Sequence, residues 1–127
     1  MNEQQKNIQD KCIAFAVKVD RLKKQLQREQ HEYNKSDQID RSSSSIGAMY
    51  SEAIYAESDT DYIHKLAIAQ KECSETKYWL QVLIQCEYIS KEQYSDIMHD
   101  CEELMRILTS IIVALKRRHN SARSAER

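Results

Sequence analysis

The 127-residue sequence has no proline, one glycine, one phenylalanine and one tryptophan. So little turn-forming chemistry disfavours a β-sheet protein, and a single glycine excludes a glycine-rich phosphate loop. No apolar run approaches the ~18 residues that a membrane-spanning helix needs. Residues 1–11 also have no apolar core of a secretion signal. We therefore expect a cytoplasmic protein that makes no membrane contact.

Apolar residues recur at alternating steps of three and four along four segments of the chain. This spacing places them on one face of a helix. Four such helices can hide their apolar faces only against one another, so the sequence predicts an all-α four-helix bundle over residues 1–119. Residues 120–127 form a polar, basic tail that we expect to fray. The four stripes are Ile8, Cys12, Phe15, Val19, Leu22, Leu26; Ile39, Ser42, Ile46, Met49, Ala53, Ala56; Tyr62, Leu66, Ala69, Cys73, Thr76, Leu80, Leu83; and Tyr94, Ile97, Cys101, Leu104, Leu108, Ile111, Leu115.

Capping residues suggest where the helices begin. Helix one is predicted over about 4–33, and Ser36 or Asp37 is the expected cap of helix two, which runs to about 56. The segment SSSSIGA within helix two has poor helix propensity. We favour a continuous helix there, and a serine-rich loop is the alternative.

Two further caps divide the second half of the chain. Ser58 and Ser90 are followed three residues later by Asp61 and Gln93, the spacing of a capping box. They predict helix three from residue 58 to about 87 and helix four from residue 90. Because the connection at 88–90 is very short, these two helices should be antiparallel neighbours.

The residues that could carry chemistry do not form a recognisable catalytic or metal-binding motif. Three of the four cysteines lie on the apolar stripes, so we expect reduced thiols in the core, with disulfides as the alternative. The four histidines are scattered, and neither a zinc nor a di-iron motif is present. We therefore predict no catalytic residues, no metal site and no cofactor.

Three charged residues lie in surroundings of small or apolar side chains. Arg41 and Glu52 belong to helix two and Glu75 to helix three, and a charge in such a place needs a partner. We interpret them as structural ion pairs, of Arg41 with Glu75 or of Glu52 with a basic residue of another chain. A catalytic carboxylate pair is the sharper alternative, but no third group supports it.

The apolar surface is wider than one intrachain seam requires. Such a surplus marks an interface, although globular helices often show a broad apolar arc. We therefore predict a homo-oligomer held together by residues outside the intrachain seam. The candidates are Ile13, Val17, Trp79, Met98, Met105 and Ile112.

Two basic features could contact phosphates despite a net charge of −1. Residues 116–127 contain five basic residues and one acidic residue, a net +4, and the rest of the chain carries −5. An ordinary solvated face for helix one, and a dipole-matched end for helix four, are the simpler interpretations. The candidates are Lys11, Lys18, Arg21 and Arg28 on helix one and Lys116, Arg117 and Arg118 in the basic segment.

Three strings of the sequence carry a family resemblance. RSSSSIGAMYSEA at 41–53, DYIHKLAIAQKECSETKYWL at 61–80 and YISKEQYSDIMHDCEELMRILTSII at 88–112 resemble successive signatures of one bacterial four-helix bundle family. Its members are encoded in intervening sequences of 23S rRNA genes. In the first two strings, the matching positions are Arg41, Ser45, Ile46, Gly47, Glu52, Ala53, Ile63, Leu66, Ile68, Ala69, Glu75 and Leu80.

The resemblance implies an antiparallel up-down-up-down bundle assembled as a ring-like homopentamer. It also implies a relation to the accessory variability determinant proteins of diversity-generating retroelements, which bind a reverse transcriptase and nucleic acid. We therefore expect a non-enzymatic oligomeric scaffold whose partners are RNA or DNA and a reverse transcriptase. A structural protein with only a protein partner is the alternative, and an enzyme built in the bundle core is a third reading.

Overall fold

The computed structural model describes residues 1–126, which form four α-helices and no strand. They are α1 (Glu3–Gln30), α2 (Asn34–Ile54), α3 (Asp59–Gln85) and α4 (Lys91–Glu126). Each helix packs against the next and α4 returns to α1, while diagonal helices do not approach closely. Because the connections are only three to five residues long, successive helices are antiparallel. The predicted all-α class is confirmed.

The apolar stripes form one continuous core, although Ala56 and Leu115 lie outside it and α2 and α4 each show one further difference. On α2, Tyr50 is fully buried although it lies outside the predicted stripe, whereas the predicted Met49 is only half-buried. On α4 Ile112 is buried in place of the predicted Ile111, which packs at the core's edge. A step of three or four residues cannot distinguish neighbouring positions at the margin of a helix face, because the packing partner decides which of them turns inward.

The serine-rich segment is continuous helix, as favoured from the sequence. Ser43 and Ser45 donate their hydroxyls to carbonyls of the preceding turn, at 3.1 and 2.8 Å. Ser42 is fully buried and shares a 2.8 Å hydrogen bond with the buried Thr76 of α3. The small side chains therefore satisfy their own polar atoms and let the neighbouring helices approach.

The turn between α1 and α2 differs from the prediction, because neither Ser36 nor Asp37 is the cap. Helix α1 ends at His31, whose φ of 54° is left-handed. The buried Glu32 then caps α2, since its Oε1 accepts from the backbone N–H groups of Lys35 at 2.6 Å and Ser36 at 2.9 Å. Two charge-assisted bonds at a helix N-terminus outweigh one hydroxyl cap.

The later helix starts agree better with the sequence. Ser90 and Gln93 form both bonds of a capping box, at 2.9 and 3.1 Å. Ser58 accepts from the backbone N–H of Asp61 at 3.1 Å, but the Asp61 carboxylate reaches back to Glu57 N instead of the cap residue. The second box is thus complete and the first is half formed.

Helix α4 continues well beyond the core. Its last buried residue is Ile112, yet the helix reaches Glu126, so the prediction of a frayed tail from residue 120 is wrong for residues 120–126. Arg127, counted in the tail's charge, lies outside the described residues. Because successive residues of a helix are rotated around its axis, the basic side chains of this segment point to several sides of the exposed helix.

Gly47 marks the closest approach of α1 and α2. A Cβ added there would lie 3.0 Å from Cys12 Cβ. Replacing Gly47 with Val should lower the free energy of unfolding by about 2 kcal/mol, because a branched side chain must separate the two helices. Urea denaturation measures this, with Ala48→Val at the exposed neighbouring position as control. Equal losses in the two variants would contradict a close approach at Gly47.

Candidate functional site

The seam between α1 and α4 is closed by ion pairs. Lys11 Nζ lies 2.8 Å from Glu103, and Lys18 Nζ lies 3.1 Å from Asp96 and 2.6 Å from Asp100. Two of the four residues of the helix-one basic stripe, Lys11 and Lys18, are therefore paired with carboxylates of α4. Both are candidates for phosphate contact from the sequence, and their tertiary partners cannot be read from α1 alone.

The charges of this seam stabilise one another. The hydrogen bond and charge of Glu103 raise the pKa of Lys11, and the same interactions lower the pKa of the Glu103 carboxyl. The pKa of Lys18 is raised mainly by its hydrogen bond to Asp100. The other stripe residues lie outward, since Arg21 is exposed and Arg28 lies 3.6 Å from its neighbour Glu29.

Arg41 lies between two carboxylates of α3. Its Nη1 is 3.3 Å from Glu72, and its Nη2 is paired with Glu75, which also accepts from Trp79 Nε1 at 3.3 Å. The hydrogen bond to Glu75 is the main cause of the raised pKa of Arg41. This cluster links α2 to α3 across the surface, and both of its bonds to Glu75 use the carboxylate oxygen Oε2.

Glu52 also has its partner within the chain. Lys65 Nζ of α3 lies 3.4 Å from Glu52 Oε1, and the Glu52 carboxylate is half exposed. A basic residue from another chain is therefore not needed to balance this charge. Both Arg41 and Glu52 link α2 to α3, one toward each end of the helix pair.

The six apolar interface candidates divide into three groups. Ile13 and Val17 are 56% and 42% exposed, one turn apart on α1. Met98 and Ile112 are buried in the chain's own core, so the expectation that they lie outside it is wrong. Trp79 and Met105 are half-buried against the core. Met98 and Ile112 lie on the face of α4 that packs in the core, although neither belongs to the apolar stripe predicted for helix four. Exposed apolar or aromatic residues that the sequence analysis missed are Tyr33, Tyr55, Tyr78 and Val113.

A shallow groove of about 200 Å³ runs beside Ile13 between α1 and α2. Gly47, Ala48 and Ala16 form much of its lining, together with small polar side chains. The groove exists because the small residues of the SSSSIGA segment let α2 lie close to α1 without filling the surface between them.

The basic end of α4 is exposed and carries charges that the bundle does not neutralise. Within residues 1–126, Lys116, Arg117 and Arg118 have no carboxylate within salt-bridge distance, whereas the adjacent His119 lies 3.1 Å from Asp59 of α3. Because Lys11 and Lys18 of α1 are paired, this end of α4 carries more unneutralised positive charge than the basic stripe of α1.

A second cavity, of about 260 Å³, opens at this same end of the bundle. Tyr50 of α2, Tyr62 of α3 and Arg118 of α4 line it together with the first residues of α1. Tyr50 is fully buried, and its hydroxyl has no hydrogen-bond partner among the described residues. Its i, i+4 spacing from Ile46 was the sequence signal for burial, but the weaker stripe through Met49 obscured it.

The thiols match the predicted reduced state. Cys12, Cys73 and Cys101 are buried and unbridged, while Cys86 is exposed and also free. Burial raises the pKa of Cys12 to about 11, and hydrogen bonding to Cys101 together with burial raises the pKa of Cys73. Buried thiols of this kind are poor nucleophiles.

No helix within residues 1–126 combines the length and apolar character needed to cross a bilayer. In the same residues, no three histidine, cysteine or acidic side chains gather in a geometry that could hold a metal ion.

The Lys11–Glu103 pair predicts a pH dependence. A carboxyl whose pKa is lowered in the folded state stabilises the fold above its unfolded value of 4.5, and this contribution disappears as the pH falls through the folded pKa. Replacing Glu103 with Gln should reduce the stability lost between neutral and acidic pH. Urea unfolding at pH 7 and pH 3 tests this against Glu102→Gln, an exposed neighbour. The same pH dependence in both variants would contradict the prediction.

Comparison with known proteins relates the chain to one family and to a solved structure. The family model described as "23S rRNA-intervening sequence protein" matches residues 4–110. A solved structure from Bacteroides thetaiotaomicron, described as a protein with unknown function from the S23 ribosomal protein family, is 50% identical. That similarity covers 83% of this chain and 97% of the other, with a TM-score of 0.81. No curated protein matches the chain significantly.

The family match spans most of the chain and includes the first two strings that carried the resemblance and all but the last two residues of the third. The structural match agrees with it over the same four helices. The chain therefore belongs to the 23S rRNA-intervening sequence protein family.

Proposed function

We propose that this chain is a non-enzymatic cytoplasmic scaffold that assembles into a homo-oligomer, a ring of five copies. The observation that carries the proposal is the exposed pair Ile13 and Val17, one turn apart on α1, of which Ile13 lines the α1–α2 groove. Large apolar side chains adjoining a groove gain stability when a second surface covers them. The family resemblance supplies the pentameric number.

A structural role fits the state of the polar groups. Arg41 holds both Glu72 and Glu75, and the lysines of α1 engage carboxylates of α4. The raised pKa of Cys12 and of Cys73 keeps these thiols protonated near neutral pH. Such groups hold helices together and are poorly placed for proton transfer or nucleophilic attack.

The nucleic-acid part of the proposal depends on the exposed end of α4. Lys116, Arg117 and Arg118 stand on a helix that extends beyond the core, and a ring would present five such ends together. Several weak phosphate contacts made at once bind far more tightly than one. The resemblance implies a relation to accessory variability determinant proteins, and on that ground RNA or DNA, with a reverse transcriptase, are the proposed partners.

A partner made only of protein is the second candidate. The paired lysines of α1 favour it, because they leave the body of the chain with its acidic surplus and little free positive charge on that face. An acidic body repels phosphate at longer range. The two candidates differ in whether the basic end of α4 contacts nucleic acid.

The oligomer predicts a mass near five times 15.0 kDa by light scattering after size exclusion. Replacing Ile13 and Val17 together with Glu should lower the mass to that of one chain, because charge cannot be buried in an apolar interface without a partner. Val113→Glu, at an exposed apolar position on α4, is the matched control and should keep the assembly. A wild-type chain that stays monomeric at micromolar concentration would refute the proposal.

Binding to nucleic acid should be sequence-tolerant and should weaken steeply as salt rises. Replacing Lys116, Arg117 and Arg118 with Ala should reduce it without changing the oligomeric mass, since these residues lie beyond the core. Ala replacements at Lys18, Arg21 and Arg28 should have a smaller effect, because Lys18 is already paired. Fluorescence anisotropy with single- and double-stranded RNA and DNA at low salt measures this. No binding at tens of micromolar protein would favour the protein-only partner.

A further inference from the structure

A second exposed apolar surface lies on α3, apart from the Ile13 and Val17 pair of α1. Tyr78 is 56% exposed, and its ring meets the indole of Trp79 edge to face, with the ring centroids 5.0 Å apart. Val82, one turn after Tyr78, is half-buried and lines the same surface depression as the tyrosine. We call Tyr78, Trp79 and Val82 the α3 patch. Aromatic side chains are enriched where proteins meet, so this patch is a candidate contact surface.

The groove between α1 and α2 has a shape that suits an aromatic side chain. Its volume is about 200 Å³, and Ala16, Gly47 and Ala48 leave it unfilled. Ser44 and Ser51 add hydroxyl groups to the lining. A tyrosine offers the matching chemistry, because its ring can pack on small apolar groups while its hydroxyl exchanges hydrogen bonds with serines.

A ring with an odd number of copies needs two different contact surfaces on each chain. A patch that meets itself joins copies only in pairs, whereas a head-to-tail contact between unlike patches can close a ring. The groove and the α3 patch are unlike, and both border α2, since α2 packs between α1 and α3 and Trp79 lies beside the start of α2. Their outward directions are therefore inclined to one another and not opposed, which allows successive copies to turn into a closed ring.

We propose that the α3 patch of one copy docks into the α1–α2 groove of the next copy, with Tyr78 entering the groove. The inference rests on the proposed oligomer and adds the two surfaces that join its copies. One such contact covers Ile13, Val17 and Tyr78, which are 42% to 56% exposed in the single chain. Removing these side chains from water favours assembly, and the groove is filled by a side chain of the neighbouring copy.

Complementation between two variants tests this pairing. Replacing both Ile13 and Val17 with Glu disables the groove surface, and Tyr78→Glu disables the α3 patch, because a carboxylate cannot be buried in an apolar contact without a partner. Light scattering should give each variant alone a mass near 15.0 kDa. An equimolar mixture should give about twice that mass, because it retains one intact groove and one intact α3 patch and cannot grow further. The mixture is measured up to on the order of 100 µM, since a single contact lacks the reinforcement of ring closure.

Val113→Glu introduces the same charge at an exposed apolar position of α4 and should keep the wild-type mass. Tyr78→Phe keeps the ring and should also assemble, and circular dichroism should show an unchanged fold in every variant. A wild-type chain that stays monomeric overturns the oligomer and this inference together. An oligomeric wild type with a Tyr78→Glu variant of the same mass overturns the pairing alone. So does a mixture of the two monomeric variants that forms no dimer, since the two surfaces then do not meet each other.

Discussion

The close approach of α2 to its neighbours is the contact on which the remaining structure depends. A Cβ at Gly47 would lie only 3.0 Å from Cys12 Cβ of α1, and Ser42 meets Thr76 of α3 inside the core. Large side chains at these positions would hold the helices apart, and the opposite α1–α4 seam would have to change with them. The serines have low helix propensity, but their bonds to preceding carbonyls and their small size suit this packing.

The α1–α4 seam is built differently, and this difference shapes the surface chemistry. The small residues of α2 let its backbone lie close to those of its neighbours. The contacts between α1 and α4 are instead made by long charged side chains, such as Lys11 and Lys18 of α1 and Glu103 of α4. Pairs of this exposure add little stability each. Their larger consequence is that they neutralise one face of the bundle, whereas Lys116, Arg117 and Arg118 at the far end of α4 have no carboxylate within salt-bridge distance in residues 1–126.

That end of the bundle brings together features from all four helices. The start of α1, Tyr50 of α2, Tyr62 of α3 and Arg118 of α4 meet around one cavity, and the exposed basic helix continues from it. Membership of the 23S rRNA-intervening sequence protein family is shown by the match over residues 4–110, whereas the family's description names no reaction or ligand.

The sequence by itself determined the all-α class, the four helices, most of the core and the continuity of the serine-rich segment. These follow from period and local bonding, which are properties of one helix at a time. Tertiary structure alone decided that Tyr50 and Ile112 turn inward, that Glu32 caps α2, and that Lys11 and Lys18 meet carboxylates of α4. Each of these depends on what a distant segment presents at that point. The spacing of residues along one helix does not show which side chains the neighbouring helix places against it.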